Sequence, residues 1–90
     1  MKIIAVCGMG IGTSVLLKMN AEKVLKLMGV EATVDAADIS SAKAAAANAQ
    51  IVLTTPELVF KLDGLNAEII EIDHVFDLTE IRQKLEKALL

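Results

Sequence analysis

The sequence predicts an α/β domain built on a four-stranded parallel sheet with helices on both faces. Short apolar runs alternate with amphipathic or alanine-rich stretches in the order β-α-β-α-β-α-β-α, a pattern typical of parallel sheets. The chain is 54% hydrophobic and only 2% aromatic, which suits a core of aliphatic side chains. At 90 residues it is long enough to bury one such core without disulfides or a metal.

The first half of the chain supplies two predicted strands and two predicted helices. Residues 2–6 form an apolar run that predicts a buried strand, and residues 31–36 are the second strand candidate. Residues 13–28 carry apolar side chains at helical spacing with lysines opposite, and Gly29 is placed to end that helix. The segment Asp38-Ile39-Ser40-Ser41 then offers N-cap residues for an alanine-rich helix over about residues 41–48.

The second half repeats the alternation. Residues 51–54 are uncharged and β-branched, as expected for a strand in the middle of a parallel sheet. The Thr55-Pro56-Glu57 sequence predicts a cap and a proline at the first position of a short helix that ends near residue 61. After a turn at Asp63-Gly64, residues 68–72 form the fourth strand. Asp77 and Glu80 then have capping-box spacing ahead of a last helix with one apolar face.

For four strands, the flavodoxin-like, doubly wound order 2-1-3-4 is the economical arrangement. Its topological switch point lies between strands 1 and 3, at their carboxyl ends. The segment after Cys7 and the Thr54-Thr55-Pro56 segment are therefore expected to face each other across one crevice. No repeat or linker is visible, so residues 1–90 are expected to form one complete domain.

Composition excludes several functional classes. A net charge of −3 gives no general attraction to nucleic acid or to anionic membranes. No apolar stretch reaches the roughly 18–20 residues that span a bilayer, and no signal peptide is visible. A single cysteine fits a reducing compartment, so a cytoplasmic protein is expected. No pattern in the sequence indicates a metal site or a cofactor.

The segment that carries chemistry is Cys7-Gly8-Met9-Gly10-Ile11-Gly12-Thr13-Ser14, where a strand gives way to a helix. Its glycines let backbone amides approach a tetrahedral anion, and the helix N-terminus is expected to favour the thiolate of Cys7. The segment lacks the Gly-Lys-Ser/Thr of nucleoside triphosphate loops and the Gly-x-Gly-x-x-Gly spacing of dinucleotide sites. A small buried structural cysteine is the alternative interpretation.

Cys-x5-Thr-Ser is related to the Cys-x5-Arg-Ser loop of low-molecular-weight tyrosine phosphatases. Thr13 occupies the arginine position, Arg82 lies in the last predicted helix, and no Asp-Pro pair offers a general acid. The loop is therefore suited to carrying a phosphocysteine rather than hydrolysing it. A phosphatase-like hydrolase and a redox-sensing or anion-binding module remain alternatives at this point.

This segment resembles the phosphorylation-site loop of enzyme IIB components of the bacterial phosphoenolpyruvate-dependent sugar phosphotransferase system, in the ascorbate- and galactitol-type branch. The likeness extends from the first strand to about Gly29. It implies a phosphotransferase of the EC 2.7.1 type in a single IIB-type domain. By this resemblance Cys7 accepts a phosphoryl group from a phosphohistidine of enzyme IIA and passes it to a sugar bound by the membrane enzyme IIC.

The same resemblance assigns phosphate binding to Gly8, Met9, Gly10, Ile11, Gly12, Thr13 and Ser14. It also implies peripheral association with the membrane through enzyme IIC, without insertion of this chain. The motif leaves the sugar open: ascorbate, galactitol or another.

A few residues outside the loop are further candidates. Thr54 and Thr55 are candidates to donate hydrogen bonds to the phosphate from across the crevice. His74 is either an assistant in transfer or a solvated loop residue. An apolar rim for docking is one interpretation of Leu58, Val59 and Phe60, and packing on the core is the other. We interpret the carboxylates of Asp35 and Asp38 as caps or exposed groups.

Overall fold

The computed structural model describes residues 1–7, 11–62 and 64–89, with the backbone alone described at Ile11. The strands are β1 (Lys2–Val6), β2 (Thr33–Ala37), β3 (Ile51–Thr54) and β4 (Glu68–Glu71). The helices are α1 (Ile11–Met28), α2 (Ala42–Ala45) and α3 (Leu78–Leu89), and 3₁₀ segments occupy Ala46–Asn48 and Pro56–Leu62.

The four strands form one parallel sheet in the order β2-β1-β3-β4, which confirms the predicted topology. Apart from the half-buried Lys2, the central strands β1 and β3 are buried along their whole length, because their other side chains are uncharged and covered on both faces. Val6 of β1 is paired with Thr54 of β3. Cys7 and Thr55 are therefore the next residues at the carboxyl edge of the sheet.

The sheet separates two apolar layers. Ile3 and Ala5 of β1 pack in one cluster with the buried faces of α1 and α3. Ile4 and Val6 point to the opposite layer, with α2 and the 3₁₀ segment Pro56–Leu62. This alternation follows from the two-residue period of a strand, and it confirms the prediction of helices on both faces.

Helix α1 follows its sequence pattern closely, although it begins at Ile11, two residues earlier than predicted. Most of its predicted apolar face is buried, and the side chain of Lys18 lies on the other side in an ion pair with Glu22 at 3.1 Å. Gly29 ends the helix at a φ of 73°, where Val30 N–H donates to the Leu25 carbonyl. Within the described ranges, no helix has the length and apolar composition needed to cross a membrane.

The alanine-rich segment forms less α-helix than predicted. One α-helical turn at Ala42–Ala45 is followed by the 3₁₀ turn Ala46–Asn48. The segment buries only small side chains, and a helix this short gains little from propensity alone. Elsewhere the predicted strand bounds are shifted: β2 is Thr33–Ala37 and β4 ends at Glu71.

The predicted capping box of α3 is half right. Asp77 Oδ1 accepts hydrogen bonds from the backbone N–H groups of Thr79 and Glu80, at 3.0 and 3.1 Å. The Glu80 carboxylate, however, accepts from the N–H groups of Asp73 and His74, at 2.6 and 2.9 Å. Glu80 therefore braces the connection between β4 and α3 instead of closing the cap at Asp77.

Candidate functional site

Cys7 lies directly after β1, at the carboxyl edge of the sheet and beside the continuation of β3. Helix α1 begins four residues later, and its first N–H groups have no acceptor within the helix. No acidic residue occupies the first turn of α1. The sulfur thus lies close in the chain to a helix end that favours negative charge.

The environment of the thiol differs from expectation. Cys7 is only 2% exposed, and this burial raises the pKa of its thiol from 9.0 to about 11, with a further upward contribution from the charge of Glu57. The prediction of a favoured thiolate is therefore wrong for this structure. At neutral pH the group is a protonated thiol.

The predicted phosphate-binding residues fall in two parts. Gly8, Met9 and Gly10 lie outside the described residues. Ile11, Gly12, Thr13 and Ser14 form the first turn of α1, in which Thr13 is half-buried and Ser14 is buried. A Cβ added at Gly12 would have no atom within 4 Å, so there is open space beside this turn.

The β3 side of the edge supplies two threonines. Thr54 is fully buried, and its Oγ1 has no hydrogen-bond partner among the residues described. Thr55 is also buried, and its hydroxyl donates to Glu57 Oε1 at 2.8 Å. That hydrogen bond lowers the pKa of the Glu57 carboxyl. The structure thus brings Cys7 to the same edge as Thr54, Thr55 and the charge of Glu57.

Glu57 is the residue of this site that sequence reasoning missed. In the sequence it has the position of an ordinary first-turn acid after Thr55 and Pro56. The available signal was its place immediately after the strand that borders the switch point. That signal indicates a charge near Cys7 only once the two strands are known to be neighbours.

The candidate apolar rim is divided between core and surface. Leu58 packs in the apolar layer that contains α2 and the 3₁₀ segment Pro56–Leu62. Val59 is half-buried, and Phe60 is 71% exposed. The core-packing interpretation therefore holds for Leu58, while the docking rim stays a prediction that concerns the exposed Phe60.

The remaining candidates are surface groups. Asp35 is exposed, and the Asp38 carboxylate accepts hydrogen bonds from the backbone N–H and the hydroxyl of Ser41. His74 is exposed after β4, with its ring 6.0 Å from that of Phe76. The solvated and capping interpretations of these residues agree with the structure.

His74, Asp77 and Glu80 bring three ligand-type atoms within 4.8 Å of one another. These groups already have structural partners. Asp77 caps α3, and Glu80 binds two backbone amides as well as Lys84 Nζ at 2.6 Å. The cluster is therefore explained as the brace of the β4–α3 connection.

By sequence, the chain is similar to IIB subunits of the PTS system. The family model for the lactose/cellobiose-specific IIB subunit of the PTS system matches residues 2–87. The chain is 35% identical over 88 residues to the ascorbate-specific PTS system EIIB component of Mycoplasma pneumoniae, covering 97% of this chain and 93% of that protein.

Among solved structures, the chain is similar to the lactose-specific IIB component domain of the phosphoenolpyruvate:carbohydrate phosphotransferase system from Streptococcus pneumoniae. The TM-score is 0.67 over 99% of this chain and 94% of that one. Because the identity is 16%, this likeness establishes the fold alone. The family model and the curated relative favour a phosphoryl relay over the phosphatase-like alternative.

Proposed function

The chain belongs to the IIB subunit family of the sugar phosphotransferase system, and on that premise we propose that Cys7 is the residue that carries the phosphoryl group. Members of this family are phosphotransferases that relay phosphate toward a sugar. The observation that supports Cys7 is its position: the sole cysteine of the sequence directly follows β1 at the carboxyl edge, four residues before the start of α1.

The segment that follows Cys7 is proposed to hold the phosphoryl group. We expect the backbone amides and the hydroxyls of this segment to donate hydrogen bonds to the group. The segment consists of Gly8, Met9, Gly10, Ile11, Gly12, Thr13 and Ser14. Two features of the described part support this role: the first turn of α1 contains no acid, and open space lies beside Gly12. Both favour an anion at this helix end.

The transfer chemistry needs no added reactant. In the first step the sulfur attacks the phosphorus of a phosphohistidine on enzyme IIA. The N–P bond breaks, an S–P bond forms, and the thiol proton ends on the imidazole. In the second step a sugar hydroxyl attacks, the S–P bond breaks, a P–O bond forms, and the hydroxyl proton returns to the sulfur. Because Cys7 is buried as a thiol, we expect docking of the donor to expose and activate it.

The proposed partners are enzyme IIA as donor and the membrane enzyme IIC with its sugar as acceptor. With these partners we expect the chain in the cytoplasm, attached peripherally to the membrane through enzyme IIC, with residues 1–90 acting as one IIB domain. The relative described as ascorbate-specific makes ascorbate the first sugar to test, with galactitol and lactose as comparisons.

A hydrolase is the less favoured function. Thr13 stands where the related phosphatase loop has arginine, and Arg82 lies on α3, where its Nε is 3.6 Å from Glu86. Without a guanidinium at the loop, water attack on the phosphocysteine lacks its usual stabilisation.

Acceptance of phosphate by Cys7 is tested with phosphoenolpyruvate, enzyme I, the phosphocarrier protein and the cognate enzyme IIA. Intact-mass spectrometry is expected to show one added phosphoryl group on the wild type and none on Cys7→Ser. His74→Gln serves as the matched control, because it removes the sole histidine and should keep the added group. A wild type that stays unmodified with a verified donor, or a Cys7→Ser variant that is modified, would overturn the proposal.

A further inference from the structure

The carboxylate of Glu57 is held at the carboxyl edge of the sheet by a buried anchor. Thr55 follows β3 directly, and its hydroxyl donates to Glu57 Oε1 at 2.8 Å. Thr55 is buried, so the donor is fixed against the sheet while the carboxylate reaches solvent. Pro56 between them further restricts the backbone, because its ring fixes φ.

This edge is shared with Cys7. Val6 and Thr54 are register partners on adjacent strands, which lie about 4.8 Å apart in a sheet. Cys7 and Thr55 each follow by one residue. The charge of Glu57 acts at the sulfur, where it opposes formation of a thiolate. Within the described part of the chain, Glu57 is the one charged group that shifts the titration of Cys7.

We propose that Glu57, oriented by Thr55, is an electrostatic determinant of the relay that destabilises the phosphoryl group on Cys7 and so favours its onward transfer. The proposal rests on Cys7 being the phosphoryl carrier. A fixed carboxylate that disfavours one negative charge on sulfur disfavours the larger charge of a phosphoryl group more strongly. The helix end and the amides bind the group, while Glu57 limits how stable it becomes.

The carboxylate takes no part in bond making. When the S–P bond breaks and the phosphoryl group leaves with the sugar oxygen, Glu57 keeps its charge and exchanges no proton. What changes is the repulsion, which is present in the phosphocysteine and relieved when the group departs. The effect therefore raises the free energy of the phosphocysteine intermediate.

A purely structural role is the alternative. Thr55 and Glu57 lie at the start of the 3₁₀ segment, where the Thr55 carbonyl accepts from Leu58 N–H at 3.0 Å. Glu57→Gln separates the two roles, since the amide oxygen still accepts from Thr55 while the charge is lost. Glu57→Asp should retain most of the electrostatic effect. Glu68→Gln is the matched control, because it removes an equal charge at the amino end of β4, the opposite edge of the sheet.

Two readouts are needed. The first is the rate of Cys7 alkylation by iodoacetamide at pH 8, which requires no partner protein. We expect Glu57→Gln to raise this rate about two- to fivefold through a larger thiolate fraction. The second is the ratio of phosphorylated to unphosphorylated protein at equilibrium with a fixed pool of phosphorylated enzyme IIA. We expect this ratio to rise about three- to tenfold, and the rate of transfer to sugar to fall correspondingly.

The outcomes are distinguishable. The proposal is supported if the alkylation rate and the phosphorylation ratio rise in Glu57→Gln and do not rise in Glu68→Gln. Both quantities should also stay close to their wild-type values in Glu57→Asp. If the wild type accepts phosphate on Cys7 but Glu57→Gln matches it in the phosphorylation ratio, the role of Glu57 is wrong and the relay stands. If the wild type accepts no phosphate, the relay fails and this inference fails with it, whatever the alkylation rates.

Discussion

Replacing Glu80 with glutamine should weaken the β4–α3 connection and remove part of the acid sensitivity of folding. The Glu80 carboxylate accepts hydrogen bonds from the N–H groups of Asp73 and His74 and from Lys84 Nζ, at 2.6 to 2.9 Å. A glutamine side chain has one acceptor oxygen in place of two. At least one of these donors therefore loses its partner, and the charge opposite Lys84 disappears.

The magnitude follows from the pKa of Glu80. Burial alone would raise this pKa, but hydrogen bonds from Lys84, Asp73 and His74 and the charge of Lys84 lower it from 4.5 to about 2. The full difference corresponds to an upper limit of about 3 kcal/mol. The Glu80 side chain is 13% exposed, but that of Lys84 is 34% exposed. Solvent screening therefore reduces the expected contribution to about 1–2 kcal/mol.

The sign of the pH dependence is fixed by the direction of this shift. Because the folded-state pKa lies below the unfolded value, the stabilisation is fully present above pH 4.5 and is lost as the pH falls toward 2. The wild type should lose about 1–2 kcal/mol from this group over that window. Glu80→Gln lacks the contribution at every pH.

Urea unfolding at pH 7 and pH 3, followed by circular dichroism, measures both effects. We expect the free energy of unfolding of Glu80→Gln to be about 1–2 kcal/mol lower than that of the wild type at pH 7. At pH 3 this difference should be smaller by about half or more. Glu86→Gln is the control, since its partner Arg82 is an exposed neighbour at 3.6 Å, and it should change stability by less than about 0.5 kcal/mol. Equal stability of Glu80→Gln and wild type at pH 7, or a gap independent of pH, would refute this reasoning.

Three further substitutions test the packing of the core, at β3 and at α3. Thr54→Val should stabilise the protein by about 1 kcal/mol in urea unfolding, because it replaces a buried hydroxyl that has no partner among the described residues with a methyl group of similar shape. A clear loss of stability would mean that the hydroxyl is bonded in solution. Leu85→Ala should cost about 3 kcal/mol and lower Tm, because Leu85 is fully buried between α3 and the sheet. The exposed Leu78→Ala should cost less than about 1 kcal/mol, and similar losses for the two variants would contradict the assigned core.

The sheet was predictable because its central strands carry unambiguous signals. Residues 3–6 and 51–53 are apolar runs next to stretches of helical pattern, and the strands were predicted over residues 2–6 and 51–54, which are their observed bounds. Handedness and connection rules then restrict four such strands to few topologies. The alanine-rich segment was less predictable, since helix propensity does not report how little surface a row of alanines buries.

The meeting of the Cys7 and Thr54–Thr55 segments at one edge of the sheet was predictable, but the electrostatics at that edge were not. The order of residues after Cys7 indicates a phosphate loop, and strand order places Thr54 and Thr55 at the same edge. The pKa of the thiol, by contrast, depends on burial and on a carboxylate from a neighbouring strand, and neither can be read from local sequence. Glu80 shows the same limit, because its spacing from Asp77 fits a capping box while its bonds go to Asp73 and His74.

The central claim, that Cys7 receives a phosphoryl group and passes it on, is tested most directly by a chase experiment. The protein is phosphorylated with labelled phosphoenolpyruvate through enzyme IIA, purified, and mixed with vesicles that contain the cognate enzyme IIC and the candidate sugar. The account predicts that peptide mapping finds the label on Cys7 before the chase and that the label then appears on the sugar. Label found on another residue, or released as inorganic phosphate without sugar phosphate, would contradict it.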